Sequence, residues 1–209
     1  MHPVHYHVIS VNLDKIRPTQ VSIGYEEVIK KRSEWRKLSK KDRKALLNSH
    51  WFPSVTGPKG EHFIVDHHHL GLALHLEEQS KVNLTVLKDF SMLNTETFWR
   101  VMEFHQWVHP YDERGNRIPF SKIPVNVSQL RDDPYRSLAG LARDHGAFAK
   151  DLTPYSEFLW ADFFRVRIDK KFLKKWDLAI EKALICAQKQ EASYLPGWTQ
   201  SKSDKKLVG

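Results

Sequence analysis

The segment Phe63-Ile64-Val65-Asp66-His67-His68-His69-Leu70 constrains this chain more than any other. Its first half is apolar and β-branched, which reads as a strand. Asp66 ends that strand, and Leu70, Ala73, Leu74 and Glu77 then follow helical spacing. A strand running straight into a helix belongs to a mixed α/β fold. The junction also turns the first unpaired N–H groups of the helix into open space. With the helix dipole, these attract anions, phosphate above all. Imidazoles at that point can bond phosphate oxygens or move protons near neutral pH. Asp66 can orient an imidazole, or help hold Mg2+ together with substrate phosphates. A plain structural turn capped by Asp66 is the alternative. Contiguous histidines in regular structure do not converge on one ion, so no metal site is assigned to them.

The rest of the first 90 residues completes a small α/β unit. His7 to Val11 alternates as a strand, and Leu13 to Gln20 is a turn and extended loop in which Pro18 biases Arg17 away from helix. Val28, Ile29, Arg32 and Trp35 predict a helix over 25–38. Ser39 with Asp42 forms a capping-box pattern opening a second helix to about His50. Residues 51–56 are extended, Gly57 to Gly60 turn, and His62 to Asp66 returns as the other half of a hairpin. Lys81 to Lys88 alternates again. Beyond residue 90 the pattern is mainly helical. Thr95 caps one expected helix, Asp133-Pro134 opens a second, a third covers 156–165 and a long one 170–190. The expected organisation is an α/β core over 1–90, a helical extension over 91–192 packed on it, and a flexible basic tail over 193–209.

Net charge is +8, unevenly placed. Residues 28–50 hold nine Lys/Arg against two acidic residues, and 165–209 hold eleven against five. Such segments fit a phosphate-rich partner, nucleotide or nucleic acid, or they are solvated helix faces. The lone cysteine, Cys186, excludes an internal disulfide and sits in an apolar helical pattern. Residues 1–6 carry no charged region followed by an apolar run, and no stretch reaches the roughly 20 apolar residues of a membrane helix. The expectation is a cytoplasmic protein without a membrane partner.

Residues from about 6 to 90 resemble the ParB/sulfiredoxin superfamily, in which a strand delivers a short polar motif onto a helix N-terminus. More closely, Leu13…Ile16-Arg17-Pro18-Thr19-Gln20 and Val65-Asp66-His67-His68-His69 resemble the family catalogued as "putative ParB-like nuclease". The segments from Asp132 to Gly140 and from Phe158 to Arg165 are similar to that family too. The resemblance implies a ParB/sulfiredoxin-like core with a helical C-terminal extension. It also implies chemistry at the turn, which differs among members. ParB proteins carry Gly-Glu-Arg-Arg there and hydrolyse CTP. Sulfiredoxins carry Gly-Cys-His-Arg and use the cysteine with ATP. Free serine kinases of this fold carry Asp-Gly-His-His-Arg.

The kinase version is the nearest. Asp66, His68 and His69 fall on its Asp and two His, His67 replaces the Gly, and Leu70 replaces the Arg. The lost Arg removes a bidentate phosphate contact. Those kinases also use a Glu shortly after the first strand, where this chain has Pro18-Thr19-Gln20. Glu26 or Glu27 can reach the site from the next helix, but the preferred reading of the pair is an acidic first helical turn complementing the dipole. Arg136 and Arg165 are candidates to replace the missing clamp, with surface ion pairing as the alternative. The expectation is therefore an enzyme acting on a phosphate compound, by phosphodiester hydrolysis or phosphoryl transfer. Asp66, His68 and His69 carry the chemistry. His67, Gln20, Arg136 and Arg165 bind a nucleotide such as ATP, ADP or CTP with Mg2+. A serine-type kinase and a non-catalytic DNA-binding protein are the other readings.

Overall fold

The computed structural model describes residues 7–199. Its contacts divide the chain into two compact units meeting between Asp132 and Asp133, not near residue 90 as the sequence patterning predicts. The first unit is built on a mixed five-stranded sheet in the order β1-β6-β4-β5-β2. Its strands are β1 (His7–Asn12), β2 (Ile16–Arg17), β4 (Phe52–Thr56), β5 (His62–Ile64) and β6 (Lys81–Asp89). β1 with β6 and β4 with β5 are antiparallel, whereas β4 with β6 and β2 with β5 are parallel. A second, two-stranded sheet pairs β3 (Ser22–Ile23) in parallel with β7 (Arg131–Asp132).

Three helices follow the sequence signals closely. α1 covers Tyr25–Lys37 and buries Val28 and Trp35. α2 covers Lys40–Ser49, and the Ser39 hydroxyl accepts from Asp42 N and donates to its carboxylate, as the capping pattern predicts. α3, His68–Leu76, starts directly after the histidine turn. α1 and α3 are tied at their far ends, where Arg32 and Arg36 both reach the Glu77 carboxylate at 2.8 and 2.9 Å. α4 (Thr95–Phe104) is capped by Asn94, not Thr95, because the Asn94 side chain accepts from Thr97 N.

Strand alternation divides the core between the two sheet faces. Ile64 packs with Phe52, Leu72, Leu84 and the α1 residues Val28 and Trp35. Its neighbour Phe63 points the other way, to Val55, Phe98, Trp99 and Met102 under α4. The α1/α3 layer therefore covers one face and α4 the other.

The second unit has its own helical core. α5 (Pro134–Asp144) begins at Asp133, whose carboxylate accepts from Tyr135 N with Pro134 at the first helical position. α6 is Ser156–Arg165 and α7 is Trp176–Ala187. The long helix expected over 170–190 is interrupted. Residues 170–174 form a 3-10 turn, and Lys175 leaves the helical region at φ −137°. Trp160, fully buried, stacks on Phe148 at 4.1 Å. Residues 193–199, expected in the tail, join this core. Leu195 is buried, Trp160 Nε1 donates to Pro196 O, and Trp198 Nε1 donates to Ala187 O. Gly197 has φ +73°, and a side chain there would run into the Ala149 carbonyl. The rest of the expected tail, and residues 1–6 with their expected lack of a leader, lie outside the described residues. Among the described residues, no helix is long and apolar enough to cross a membrane.

Candidate active site

The histidine turn is built at the meeting of two helix starts. His67 is the residue before α3 and holds a left-handed backbone, φ 64°, ψ 23°. Such a conformation suits glycine and costs an imidazole-bearing residue about 1 kcal/mol. It is the position at which the kinases resembled above carry Gly. Asp66 Oδ1 accepts from His67 N at 2.6 Å, which fixes the turn. His67 makes no side-chain cap to the helix. The opening N–H groups of α3 are thus not used by the residue that would ordinarily cap them.

The three imidazoles have three different environments. His68 is buried, 4% exposed. Its Nε2 accepts from Thr19 N at 3.1 Å, so the proton of the neutral ring belongs on Nδ1. Thr19 Oγ1 donates to Ile64 O at 2.9 Å, closing a small buried network. Burial lowers the His68 pKa to about 3, against the weaker opposing effect of Asp66. This ring is neutral at physiological pH and enclosed, which fits a brace between the 17–20 loop and α3. Its burial and its bond to Thr19 N give no support to the acid/base role predicted for it.

His69 joins the two helix starts. Its Nε2 accepts from Gly24 N, just ahead of α1, at 3.3 Å, and its Nδ1 lies 3.5 Å from Glu27 Oε2. Glu27 also pairs with Lys31 at 3.4 Å, one turn further along α1. Glu27, read from sequence as a dipole partner, therefore reaches the turn.

His67, like His69, is partly open, and among the described residues no hydrogen bond of the kind that ties His69 to Gly24 N engages its ring. Its ring stands edge-on to Phe52 at 5.8 Å and tilted to His50 at 6.5 Å. Burial lowers its pKa first, and Asp66 and Glu27 work against that while His50 and Lys31 add to it. The result favours a neutral ring, an acceptor at neutral pH, beside two carboxylates and an ammonium group. Sequence reasoning weighed Glu27 as able to reach the site but preferred the dipole reading, and it missed Lys31 and His50 as members of this cluster. The four-residue spacing of Glu27 and Lys31 was a usable signal for the pair, whereas nothing local marks His50.

The other sequence candidates have different places. Gln20 is buried and bridges the backbone at His109 in parallel fashion. Arg136 and Arg165 lie in the second unit, each in an ion pair there. Arg136 and Arg143 both bind Glu157. Arg165 grips the buried Asp133 through two contacts of 2.7 and 3.3 Å. Both guanidinium groups serve the packing of α5 on α6, so the geometry gives no support to the clamp role predicted for them. Among the described residues, no three His, Cys, Asp or Glu side chains cluster to hold a metal ion. Mg2+ brought in on substrate phosphates needs only one or two protein carboxylates, and Asp66 and Glu27 are the ones at the turn.

The comparisons agree with this architecture. The crystal structure of protein Atu1540 from Agrobacterium tumefaciens is 41% identical in sequence to this chain. It superposes with a TM-score of 0.88 and covers 94% of this chain and 99% of its own. No curated protein matches. The family model described as "Putative ParB-like nuclease" matches residues 9–166, from the first strand through the last turn of α6. The chain belongs to the ParB-like family that this model defines.

Proposed function

We propose that the chain is a phosphoester-handling enzyme whose site is the turn Asp66–His69 together with Glu27, Lys31 and His50. The observation that carries the reading is the left-handed, uncapped start of α3, with a neutral, partly open His67 beside Lys31 and Glu27. The α3 N–H groups and the Lys31 ammonium group bind the phosphate. His67 accepts the proton of the attacking hydroxyl or water, and Asp66 stabilises the imidazolium that forms. The P–O bond to the leaving group breaks as the new one forms, releasing ADP from ATP or, from a diester, an alkoxide that takes a proton from solvent. His68 and His69 are positioning residues, holding the 17–20 loop and the start of α1 against α3. Both hydrolysis of a phosphodiester and transfer of a phosphoryl group to a small hydroxyl acceptor use these parts. Asp66 and Glu27 are the residues that would hold Mg2+ where a substrate brings it, and the ion would supply charge neutralisation at the phosphate.

The test is turnover of bis(p-nitrophenyl) phosphate, and of ATP with Mg2+ and serine, followed by 31P NMR. His67→Gly suits the left-handed backbone and removes only the ring. It lowers turnover by roughly 100-fold to 10,000-fold if the ring is the acid/base group. Turnover equal to wild type would remove His67 from the chemistry.

A second reading rests on a separate observation. Lys37, Lys40, Lys41 and Lys44 are all exposed on the end of α1 and on α2, and α2 buries no residue fully. Such a face suits a nucleic-acid backbone. DNA binding that weakens steeply with salt and survives His67→Gly supports this reading over the enzymatic one.

A further inference from the structure

We propose that a small aromatic carboxylate binds in a second site, on the sheet face away from the histidine turn. A cavity of about 230 Å3 opens there between β5, the start of α4 and the 120–125 segment. Drug-sized pockets run from about 300 Å3 upward, so this one suits a smaller, compact ligand. None of its lining residues belongs to the histidine cluster.

The walls are aromatic. Phe63 and Phe98 meet at 4.7 Å, Phe63 stands edge-on to Trp99 at 5.4 Å, and Trp99 stacks on Phe120 at 5.5 Å and 11°. A flat apolar body is the chemistry that such walls accept. Gly57 is what lets the wall close up. A Cβ there would lie 2.6 Å from the Phe63 ring and 2.9 Å from Phe98.

One end of the cavity is cationic. Arg17 lies over the Phe63 ring at 5.0 Å and gives Nη1 to Glu61 at 2.5 Å. Its Nε is buried and has no hydrogen-bond partner among the described residues. That nitrogen is closed off from the cavity, so a ligand meets the outer guanidinium, on a side chain that is 23% exposed, and a carboxylate is the group that such a cation receives in a charge-assisted hydrogen bond. Lys59 and Thr95, the first residue of α4, also line this cavity. Glu61 offsets one of the two cations, so the site carries one net positive charge. A single carboxylate on a planar ring matches that charge, the wall chemistry and the size together. A nucleotide triphosphate matches neither the charge nor the volume.

The probe is indole-3-carboxylate, titrated calorimetrically into the full chain, with the neutral indole-3-carboxamide as control. The expected result is saturable binding of the carboxylate, at least about tenfold tighter than the carboxamide. Arg17→Gln weakens it by a similar factor. Ser121 is an exposed lining residue, and Ser121→Trp fills the mouth and abolishes binding without lowering the thermal midpoint. His67→Gly leaves binding unchanged, because it alters the other face. No binding of the carboxylate to wild type overturns the proposal. Equal binding of the carboxamide does so as well, since the comparison is made on the unaltered chain.

Discussion

Three consecutive histidines share one chemistry and have three fates, decided by what each ring touches. His68 points inward and becomes a neutral acceptor for Thr19 N, its pKa pushed down to about 3 by burial. In the unfolded chain its pKa is near 6.5. The unfolded state therefore takes up the proton first as pH falls, and stability is lost between about pH 6.5 and 3, at up to about 1.4 kcal/mol per pH unit. Urea unfolding across this range checks it. His68→Gln keeps an acceptor for Thr19 N without a titrating ring, so its stability falls less steeply with acid than that of wild type. At His67 the backbone decides. Gly there is tolerated, with stability within about 1 kcal/mol of wild type, because relief of the left-handed strain offsets the lost side chain. His67→Val, β-branched at positive φ, destabilises by about 1–2 kcal/mol more. Denaturant midpoints of the two variants separate these outcomes. The sequence showed that the turn was special, and the resemblance to an Asp-Gly-His-His motif pointed at position 67. Which ring faces inward was not legible, because contiguous residues at a helix start point to different sides and only the packing of the 17–20 loop selects one.

At the scale of elements, strong local patterns held and weak ones did not. The Ser39 cap, the Asp133-Pro134 start and the 156–165 helix each rest on several agreeing local signals, and each is found where the sequence predicts it. The two-residue strands β2, β3 and β7 carry no periodicity, so they are defined only by distant partners. The 170–190 pattern is helical in spacing, but Asp169 caps a 3-10 turn through Lys171 N and the chain restarts after Lys175. The arginines show the same dependence on distant contacts. Arg136 and Arg165 looked like ligands for phosphate because sequence cannot reveal Glu157 or the burial of Asp133. Replacing Arg165 by Met leaves the Asp133 carboxylate buried without its main counter-charge, and lowers unfolding stability by on the order of 3 kcal/mol. Thermal or denaturant unfolding of that variant checks the figure, with phosphoester turnover by the first unit as the independent readout.

For the whole molecule, the family match runs through both units, from residue 9 to 166, while each unit has its own hydrophobic core. The mixed α/β class was legible because strand and helix periodicities alternate over the first 90 residues. The boundary at 132 was not, because α4 and the irregular segment after it follow the sheet in sequence yet pack against Phe63 and Val55 on its second face. The proposed chemistry belongs to the first unit alone, since Glu27, Lys31, His50 and the turn all fall within it. The most direct measurement is an amide 1H–15N NMR titration of the full chain with ATP and Mg2+, then with inorganic phosphate. A phosphate site at the start of α3 gives saturable shifts centred on the backbone amides of His68, His69 and Leu70, with smaller shifts at Glu27 and Lys31. Saturable binding whose shifts leave residues 66–70 untouched, or no binding of either compound, would contradict it.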